Sequence, residues 1–312
     1  MSGQVRRALV LGCGGVAGAA WSIAMLSQLE QQLTWDARQA DILLGTSAGA
    51  VLAALLGAGV PAATLQACQQ GTASACQWRH DTDTGGALPP LPAARMTDSR
   101  LLARGLRGQV SALTAFSGLL PAGRCDMTPF RRLLDGVVAP GEWVSHPATW
   151  IMTVDTHSGQ RVAFGRAQAP KAALNDAVCA SYAVPGWCPP VIIGGRQYID
   201  GGVASPTSAD LLAQQPVDEV IMLAPMATRH PDRPRSPLKL LERQFRRYMT
   251  AIVDREEQQL RAAGKRVIRL EPNAADLRAI GYNMMDPARR TKVLSQALLS
   301  APDTVSRAIA LA

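Results

Sequence analysis

The sequence lacks the patterns that would assign it to several common protein classes. None of its six cysteines forms a C-x-x-C pair, and the loose group of Cys68, Cys76 and His80 has no second pair to complete a zinc site. No calcium-loop pattern is present. No segment has about 18 uninterrupted apolar residues, so no membrane-spanning helix is predicted. We therefore expect no metal and no other cofactor, and the scattered cysteines favour a cytoplasmic location.

Length and composition indicate one globular domain. The chain has 312 residues, of which 47% are hydrophobic and 18% are charged, so it can bury a large core. Because neither an internal repeat nor a clear linker interrupts it, we assign residues 1–312 to a single domain. The net charge of +8 favours an anionic partner. A soluble protein with an arginine-rich surface and no such partner would have the same net charge. We expect no nucleic-acid partner and make no prediction of the oligomeric state.

Strand-like and helix-like segments alternate along most of the chain. This order predicts a mostly parallel central sheet with helices on both faces, a three-layer α/β/α fold. The stretch 72–125, with its Pro, Gly and Ser clusters, breaks the alternation. We interpret it as a lid-like insertion, the alternative being a long surface loop. The predicted strands are 5–12, 41–45, 148–156, 161–165, 191–193, 196–200, 219–225 and 266–272, and the predicted helices are 18–33, 47–58, one after Pro61, 169–181, 206–215, a long one ending near 263 and two at the C-terminus.

The segment 45-GTSAG-49 has the G-x-S-x-G form and lies where a strand should turn into a helix. Gly45 and Gly49 let the strand and the helix pass close together around Ser47. The serine hydroxyl would then be exposed on a tight turn at a helix N-terminus, which favours negative charge. This context predicts a nucleophile, whereas a serine that merely caps the helix is the alternative.

A nucleophilic serine needs a base, and histidine is scarce in this chain. Of its four histidines, only His230 could follow an acid such as Asp200 in the Ser-Asp-His order, and it lies in a loop rich in proline and arginine. Only one strand precedes the strand of Ser47, which also disfavours the α/β-hydrolase triad. The alternative base is Asp200 itself, because Gly201 and Gly202 leave room beside its carboxylate. An ordinary Asp-Gly-Gly turn would have the same sequence.

The segment 11-LGCGGVAGAAW-21 follows the first predicted strand and should bind something negative. A phosphate of a dinucleotide is one candidate. However, the spacing G12-x-G14-x-x-x-G18 is one residue longer than G-x-G-x-x-G, and neither Asp36 nor Asp41 lies at the end of a second strand. A transient oxyanion is the other candidate.

Together, the glycine-rich loop, G-T-S-A-G and the later D-G-G resemble the patatin-like phospholipases. Segments 180–212, 219–225 and 281-GYNMMDPARR-290 are similar to that family too, and the similarity extends from residue 8 to about 295. The resemblance implies a serine hydrolase that cleaves carboxylic esters of lipids, either phospholipase A, lysophospholipase or esterase. It implies a Ser–Asp dyad, an acyl-serine intermediate and a lipid substrate.

The resemblance also implies a role for each motif residue. Ser47 would be the nucleophile and Asp200 its general base. The N–H groups of Gly14, Gly15 and Val16 would form the oxyanion hole, because glycines let backbone donors converge on one point. The remaining motif glycines would support this geometry: Gly12, Gly18, Gly45, Gly49, Gly201 and Gly202.

Two residues depart from the G-G-G-x-R/K-G loop that is usual in the family. Cys13 replaces the first glycine, and we expect its side chain to point into the core. Ala17 replaces the basic residue, which weakens the case for a phospholipid headgroup more than the case for ester hydrolysis. An acyltransferase would share the acyl-serine step, and a lipid-binding protein without activity would share only the fold.

Two segments favour peripheral contact with an anionic membrane surface. Residues 110–121 are apolar, and Arg243, Arg246 and Arg247 lie on a helix whose exposed face would be basic. An ordinary solvated helix face is the alternative interpretation of these arginines.

Overall fold

The computed structural model describes residues 5–72 and 88–312. Strands form in the buried apolar segments that the sequence marks as strands, and they assemble into one eight-stranded sheet. Their bounds are β1 (Arg7–Leu11), β2 (Ile42–Thr46), β3 (Thr149–Asp155), β4 (Arg161–Phe164), β5 (Val191–Ile193), β6 (Arg196–Asp200), β7 (Glu219–Leu223) and β8 (Arg266–Leu270).

The sheet is mostly parallel, as predicted. Its strand order is β5-β6-β3-β2-β1-β7-β8, and β4 pairs with β3. The pairs β3–β2, β2–β1, β1–β7 and β7–β8 are parallel, whereas the pairs β3–β4, β3–β6 and β5–β6 are antiparallel. Gly194 and Gly195 both have positive φ and close the predicted β5–β6 hairpin, a conformation that suits glycine.

Helices flank the sheet. Their bounds are α1 (Gly15–Leu33), α2 (Ala48–Gly57), α3 (Ala62–Gln70), α4 (Ser99–Leu106), α5 (Ala112–Ser117), α6 (Thr128–Asp135), α7 (Leu174–Ser181), α8 (Pro237–Ala262), α9 (Ala274–Ile280) and α10 (Arg290–Ala310). None of these helices in the described residues combines the length and the apolarity needed to cross a membrane.

Successive residues of the central strands face opposite helical layers. Leu9 and Leu43 belong to a core shared with α1, α2, α7 and α10. Val10 and Leu44 belong to a second core on the other face, which includes Val253 and other residues of α8. Burying one such side chain contributes about 2 kcal/mol. The period of two along the strands therefore produces the three-layer α/β/α arrangement.

Three local features differ from the sequence expectation. Helix α1 begins at Gly15, three residues earlier than predicted, and α6 forms in a stretch that received no assignment. The predicted helix 206–215 is only a short 3-10 turn at Ala209–Leu212. Its start is held instead by the buried carboxylate of Glu256, which accepts hydrogen bonds from the Thr207 hydroxyl and the Ala209 N–H.

The described part of the predicted insertion, residues 88–125, has more fixed structure than the sequence indicates. Helices α4 and α5 pack against each other there. A pair of backbone hydrogen bonds closes the segment, from Thr97 N–H to the Leu120 carbonyl and from Ala122 N–H to the Arg95 carbonyl. Cys76 and His80, two members of the loose metal-like group, lie outside the described residues.

A disulfide ties the end of this segment to the loop before β5. Cys125 and Cys188 are bonded, with their Cα atoms 4.6 Å apart and a sequence separation of 63. The scattered spacing of the cysteines does not reveal this bond, because separation in sequence conceals their proximity in space. Since disulfides persist in oxidising compartments, the cysteine pattern no longer supports a cytoplasmic location.

The disulfide should stabilise the fold by restricting the unfolded chain. Replacing both residues, as in Cys125→Ser/Cys188→Ser, should lower the free energy of unfolding by about 4 kcal/mol, the value expected for a closed loop of this length. Urea unfolding followed by circular dichroism measures this change. Cys179→Ala, which truncates a buried free thiol, is the control and should cost less. A double variant with the wild-type midpoint would contradict the prediction.

Candidate active site

Ser47 lies on a tight turn between β2 and α2. Its backbone has φ 57° and ψ −122°, a conformation that non-glycine residues rarely adopt. A Cβ on Gly45 would lie 2.4 Å from the Gly49 carbonyl oxygen, and a Cβ on Gly49 would lie 1.9 Å from that of Leu11. Both positions therefore exclude a side chain. Ser47 is the N-cap residue of α2, as the alternative interpretation expects, but its side chain makes no capping hydrogen bond to the helix.

A second serine, which the sequence motifs do not indicate, holds the turn. The Ser47 N–H donates to Ser181 Oγ at 2.8 Å, and that hydroxyl donates to the Met152 carbonyl oxygen at 2.6 Å. Ser181 ends α7 and Met152 lies in β3. The turn is therefore fixed from two neighbouring elements, which stabilises its unusual backbone conformation.

Strand register brings Asp200 beside Ser47. Thr46, the last residue of β2, lies opposite Met152 of β3, and Asp200, the last residue of β6, lies opposite Thr153. The two strand ends therefore occupy successive positions along β3. The Ser47 side chain is a direct neighbour of the Asp200 carboxylate and favours its charged form.

The carboxylate of Asp200 is buried among neutral groups. Burial raises the pKa of Asp200 to about 7, although the neighbouring Ser47 hydroxyl and the hydrogen bond from the Gly202 N–H act in the opposite direction. The Gly202 N–H lies 2.7 Å from Asp200 Oδ1. At neutral pH this side chain is therefore divided between the acid and the carboxylate, which suits a group that must take and return a proton.

The glycine-rich loop runs into the first turn of α1. Cys13 N–H donates to the Pro206 carbonyl and Ala17 N–H to the Met284 carbonyl. Within the described residues, the three N–H groups between them, those of Gly14, Gly15 and Val16, have no hydrogen-bond acceptor. Gly15 has φ +58°, and a Cβ there would lie 2.8 Å from the Met284 oxygen, so this position requires glycine.

Ser47, Asp200, Gly14 and Gly15 line one cavity of about 290 Å³, whereas Val16 is not among the residues that line it. Apolar side chains from the insertion, from the loop after α7 and from α8 form most of its wall. None of the described histidines reaches it; His230 lies at a different pocket, with Arg229 and Asn273. The lining residues are Cys13, Gly14, Gly15, Ser47, Leu113, Phe116, Ser117, Leu120, Val184, Pro185, Asp200, Gly202, Val203, Met226, Phe245, Met249, Met284 and Met285.

A family model described as patatin-like phospholipase matches residues 9–213 of the chain. The chain belongs to the patatin-like phospholipase family. The resemblance given by the sequence motifs is thereby confirmed, and family membership makes this protein a lipid acyl hydrolase at the level of its family.

Among solved structures, this patatin-like phospholipase is similar to VipD from Legionella pneumophila. The two are 12% identical with a TM-score of 0.46, and the alignment covers 98% of this chain and 67% of VipD. No curated protein matches the chain. The match to the family model ends at residue 213, so the cavity residues of α8 and of the C-terminal region lie beyond it.

The nucleotide-binding alternative finds no support at the loop of this patatin-like protein. Asp36 pairs with Arg38 at the short turn before β2. The carboxylate of Asp41, just before β2, accepts a hydrogen bond from the N–H of Arg7 at the start of β1. Both carboxylates are thus engaged at the opposite ends of these strands from the loop. In the described residues, no group of three His, Cys, Asp or Glu side chains is placed to hold a metal ion.

Cys13, the first departure from the family pattern, does not point wholly into the core. Its side chain lines the cavity and packs against Met226, Met249 and Ile252. Burial, and then the negative charge of Asp200, raise the pKa of the Cys13 thiol. It is therefore a neutral thiol at physiological pH and adds apolar surface beside the carboxylate.

A cation from another part of the chain lies behind the glycine-rich loop, whose own basic position is Ala17. Arg246 of α8 is fully buried, pairs with Glu242 and donates to the Pro225 carbonyl oxygen. Pro225 in turn packs directly against Gly14 and Gly18 of the loop. The buried guanidinium therefore supports the loop through Pro225. No motif in the sequence predicts this contact.

The proposed basic face of α8 is a misinterpretation. Arg243 and Arg246 are 5% and 0% exposed, and they pair with Asp232 and Glu242. Of the three arginines, only Arg247 is exposed. The sequence does not reveal this, because the acidic partners approach from the same helix and from the preceding loop.

The close approach at Gly49 should make this position intolerant of any side chain. Gly49→Ala should reduce the free energy of unfolding by about 3 kcal/mol or more, because its Cβ would overlap the backbone of β1. Gly136→Ala is a matched control, since a Cβ there would meet nothing closer than 3.4 Å. Denaturant unfolding of both variants tests the prediction, and equal stabilities would refute it.

Proposed function

We propose that this protein hydrolyses carboxylic esters of lipids with Ser47 as nucleophile and Asp200 as general base. The observation that carries the proposal is that Ser47 and the buried carboxylate of Asp200 are neighbours at one cavity, which Gly14 and Gly15 with their unpaired backbone donors also line. Family membership supplies the substrate class. The residue roles rest on geometry and on the resemblance of the motifs.

In the first half of the reaction, Asp200 takes the proton of the Ser47 hydroxyl while Oγ attacks the ester carbonyl carbon. Collapse of the tetrahedral intermediate breaks the bond to the alcohol, which leaves with the proton held by Asp200. In the second half, Asp200 takes a proton from water as the water oxygen attacks the acyl-serine. The fatty acid is released and the proton returns to Ser47.

The negative charge of each intermediate would be stabilised by backbone donors. The N–H groups of Gly14, Gly15 and Val16 stand at the N-terminus of α1, where the helix dipole also favours negative charge. Each preorganised donor of this kind contributes about 10²–10³ in kcat. Because they are fixed by the fold, these groups need no rearrangement when the charge develops.

The cavity wall favours an acyl chain over a charged headgroup. Leu113, Phe116 and Leu120 approach from the insertion, and Phe245 and Met249 approach from α8. Neither lysine nor arginine is among the described residues that line it. An acyl chain therefore gains apolar contact inside the cavity, while a phosphate would find no cation there.

We further propose that residues 1–312 form one domain and that the insertion covers the site. Helix α5 in the insertion contributes part of the cavity wall. Transfer of the acyl group to an alcohol other than water remains the second candidate function, because the acyl-serine step is common to both. Product analysis with and without an added alcohol acceptor distinguishes hydrolysis from transfer.

The dyad is tested by replacing its two members. Ser47→Ala should abolish labelling by a fluorophosphonate probe, and both Ser47→Ala and Asp200→Asn should lower kcat on p-nitrophenyl esters by about 10³ or more. Ser22→Ala, a buried serine of α1 that does not line the cavity, is the control and should leave labelling unchanged. Undiminished turnover in either dyad variant would exclude the proposed roles.

The pH dependence of the reaction should report the ionisation of Asp200. The carboxylate is the active form, and its pKa is raised to about 7, so kcat/KM should rise with pH and reach half its plateau near pH 7. An ordinary exposed aspartate would give a plateau by about pH 5. A rate profile of a soluble ester between pH 5 and pH 9 makes the measurement, and a flat profile would argue against Asp200 as the base.

A further inference from the structure

In the first three turns of α8, the distribution of charged and apolar residues is the reverse of that in an ordinary surface helix. The side facing the protein carries charged residues, among them Glu242, Arg243 and Arg246. The side facing solvent carries a continuous apolar stripe at spacings of three and four: Leu238, Leu241, Phe245 and Tyr248 are 56%, 69%, 38% and 39% exposed. Helical periodicity places these four residues on one face, where soluble helices carry polar residues.

The stripe is continuous with the mouth of the Ser47 cavity. Phe245 belongs both to the stripe and to the cavity wall. Across the mouth, Phe116 of α5 also lines the cavity and is 56% exposed, and Leu119 beside it is partly exposed. We call these six side chains the apolar rim: Leu238, Leu241, Phe245, Tyr248, Phe116 and Leu119.

The unpaired charges of the segment that carries the stripe, residues 231–250, are all of one sign. The two acids of residues 231–250, Asp232 and Glu242, are buried in ion pairs with arginine. The remaining cations are Arg233, Arg235, Lys239 and Arg247, and none of them has an ion-pair partner among the described residues. Exposed apolar side chains flanked by unpaired cations are typical of surfaces that bind anionic lipid.

We propose that the apolar rim and its four flanking cations dock the protein onto an anionic lipid surface. The rim side chains would enter the boundary between headgroups and acyl chains, and the cations would contact the phosphates. The cavity mouth would then open directly toward the lipid, so an acyl chain could enter without crossing water. The purpose of the surface rests on the proposed lipid hydrolysis, but its lipid affinity does not.

The charge favours lipid over the other occupants of an exposed apolar face. A second copy of the chain would bring the same four cations together across a symmetric contact, and like charges there oppose association. An anionic bilayer instead satisfies the cations and the apolar side chains at once. The cations that matter are Lys239 and Arg247 together with the loop residues, rather than the buried arginines of the same helix.

Vesicle co-sedimentation of the full chain tests the proposal, with phosphatidylcholine vesicles and with vesicles that also contain phosphatidylglycerol. The wild type should bind the anionic vesicles more tightly and lose affinity as salt is added. Leu238→Ser/Leu241→Ser should weaken the partition about tenfold. Lys239→Gln/Arg247→Gln should weaken it about 25-fold, at about fivefold for each cation.

Matched controls lie away from the rim. Leu299→Ser on α10 removes a similarly exposed leucine, and Lys171→Gln removes an exposed cation that precedes α7; both should bind like the wild type. Turnover of a dissolved short-chain ester should be unchanged in the variants Leu238→Ser/Leu241→Ser, because neither leucine lines the cavity. Hydrolysis of the same ester linkage in vesicles should fall with binding.

The outcomes separate this proposal from the proposed function. If the wild type hydrolyses dissolved esters but does not bind anionic vesicles, the docking surface is refuted and the hydrolase stands. If it binds vesicles through the rim but cleaves no ester, the hydrolase is refuted and the docking surface stands. A dimer in light scattering that the leucine double variant dissociates, without vesicle binding, would identify the rim as a contact between copies and overturn the proposal.

Discussion

The site depends on one close approach between two pieces of backbone. Helix α2 begins so near the end of β1 that a Cβ on Gly49 would lie 1.9 Å from the Leu11 carbonyl oxygen. Because β1 and β2 are paired in parallel, with Leu11 opposite Gly45, the turns that follow them emerge side by side. Ser47 thus stands next to the donors of the glycine-rich loop. A larger residue at either glycine would separate Ser47 from those donors.

The electrostatics of the site follow from what surrounds Asp200. Its hydrogen-bond donors are neutral, and burial dominates its environment, so the pKa of its carboxyl lies near 7. A nearby cation would have favoured the carboxylate and made it a weaker base. The buried cation Arg246 is paired with Glu242 and donates to the Pro225 carbonyl oxygen. The protein therefore keeps positive charge near the loop but away from its proposed base.

Helix α8 shows why charge counts alone mislead. The sequence predicts a basic outer face from its arginines, yet two of them are buried in ion pairs. Apolar residues of the same turns face solvent instead. Ion pairing of this kind is set by which residues a helix packs against. The orientation of the helix that buries Arg243 and Arg246 also exposes Leu241 and Phe245. Of these two, Phe245 lines the cavity.

Much of the fold and the motif part of the site could be predicted from the sequence by itself. Alternating strands and helices, G-T-S-A-G and D-G-G are local patterns, because propensity, turn chemistry and the steric demands of glycine act over a few residues. Ser181, Arg246, the Cys125–Cys188 disulfide and the cavity wall could not be predicted in this way. Each depends on segments far apart in sequence that only packing brings together, such as α8 and the loop of Gly14. The sequence alone therefore determined the fold class and the candidate chemical groups, whereas tertiary structure decided what surrounds them, because burial and pairing depend on contacts that no local pattern encodes.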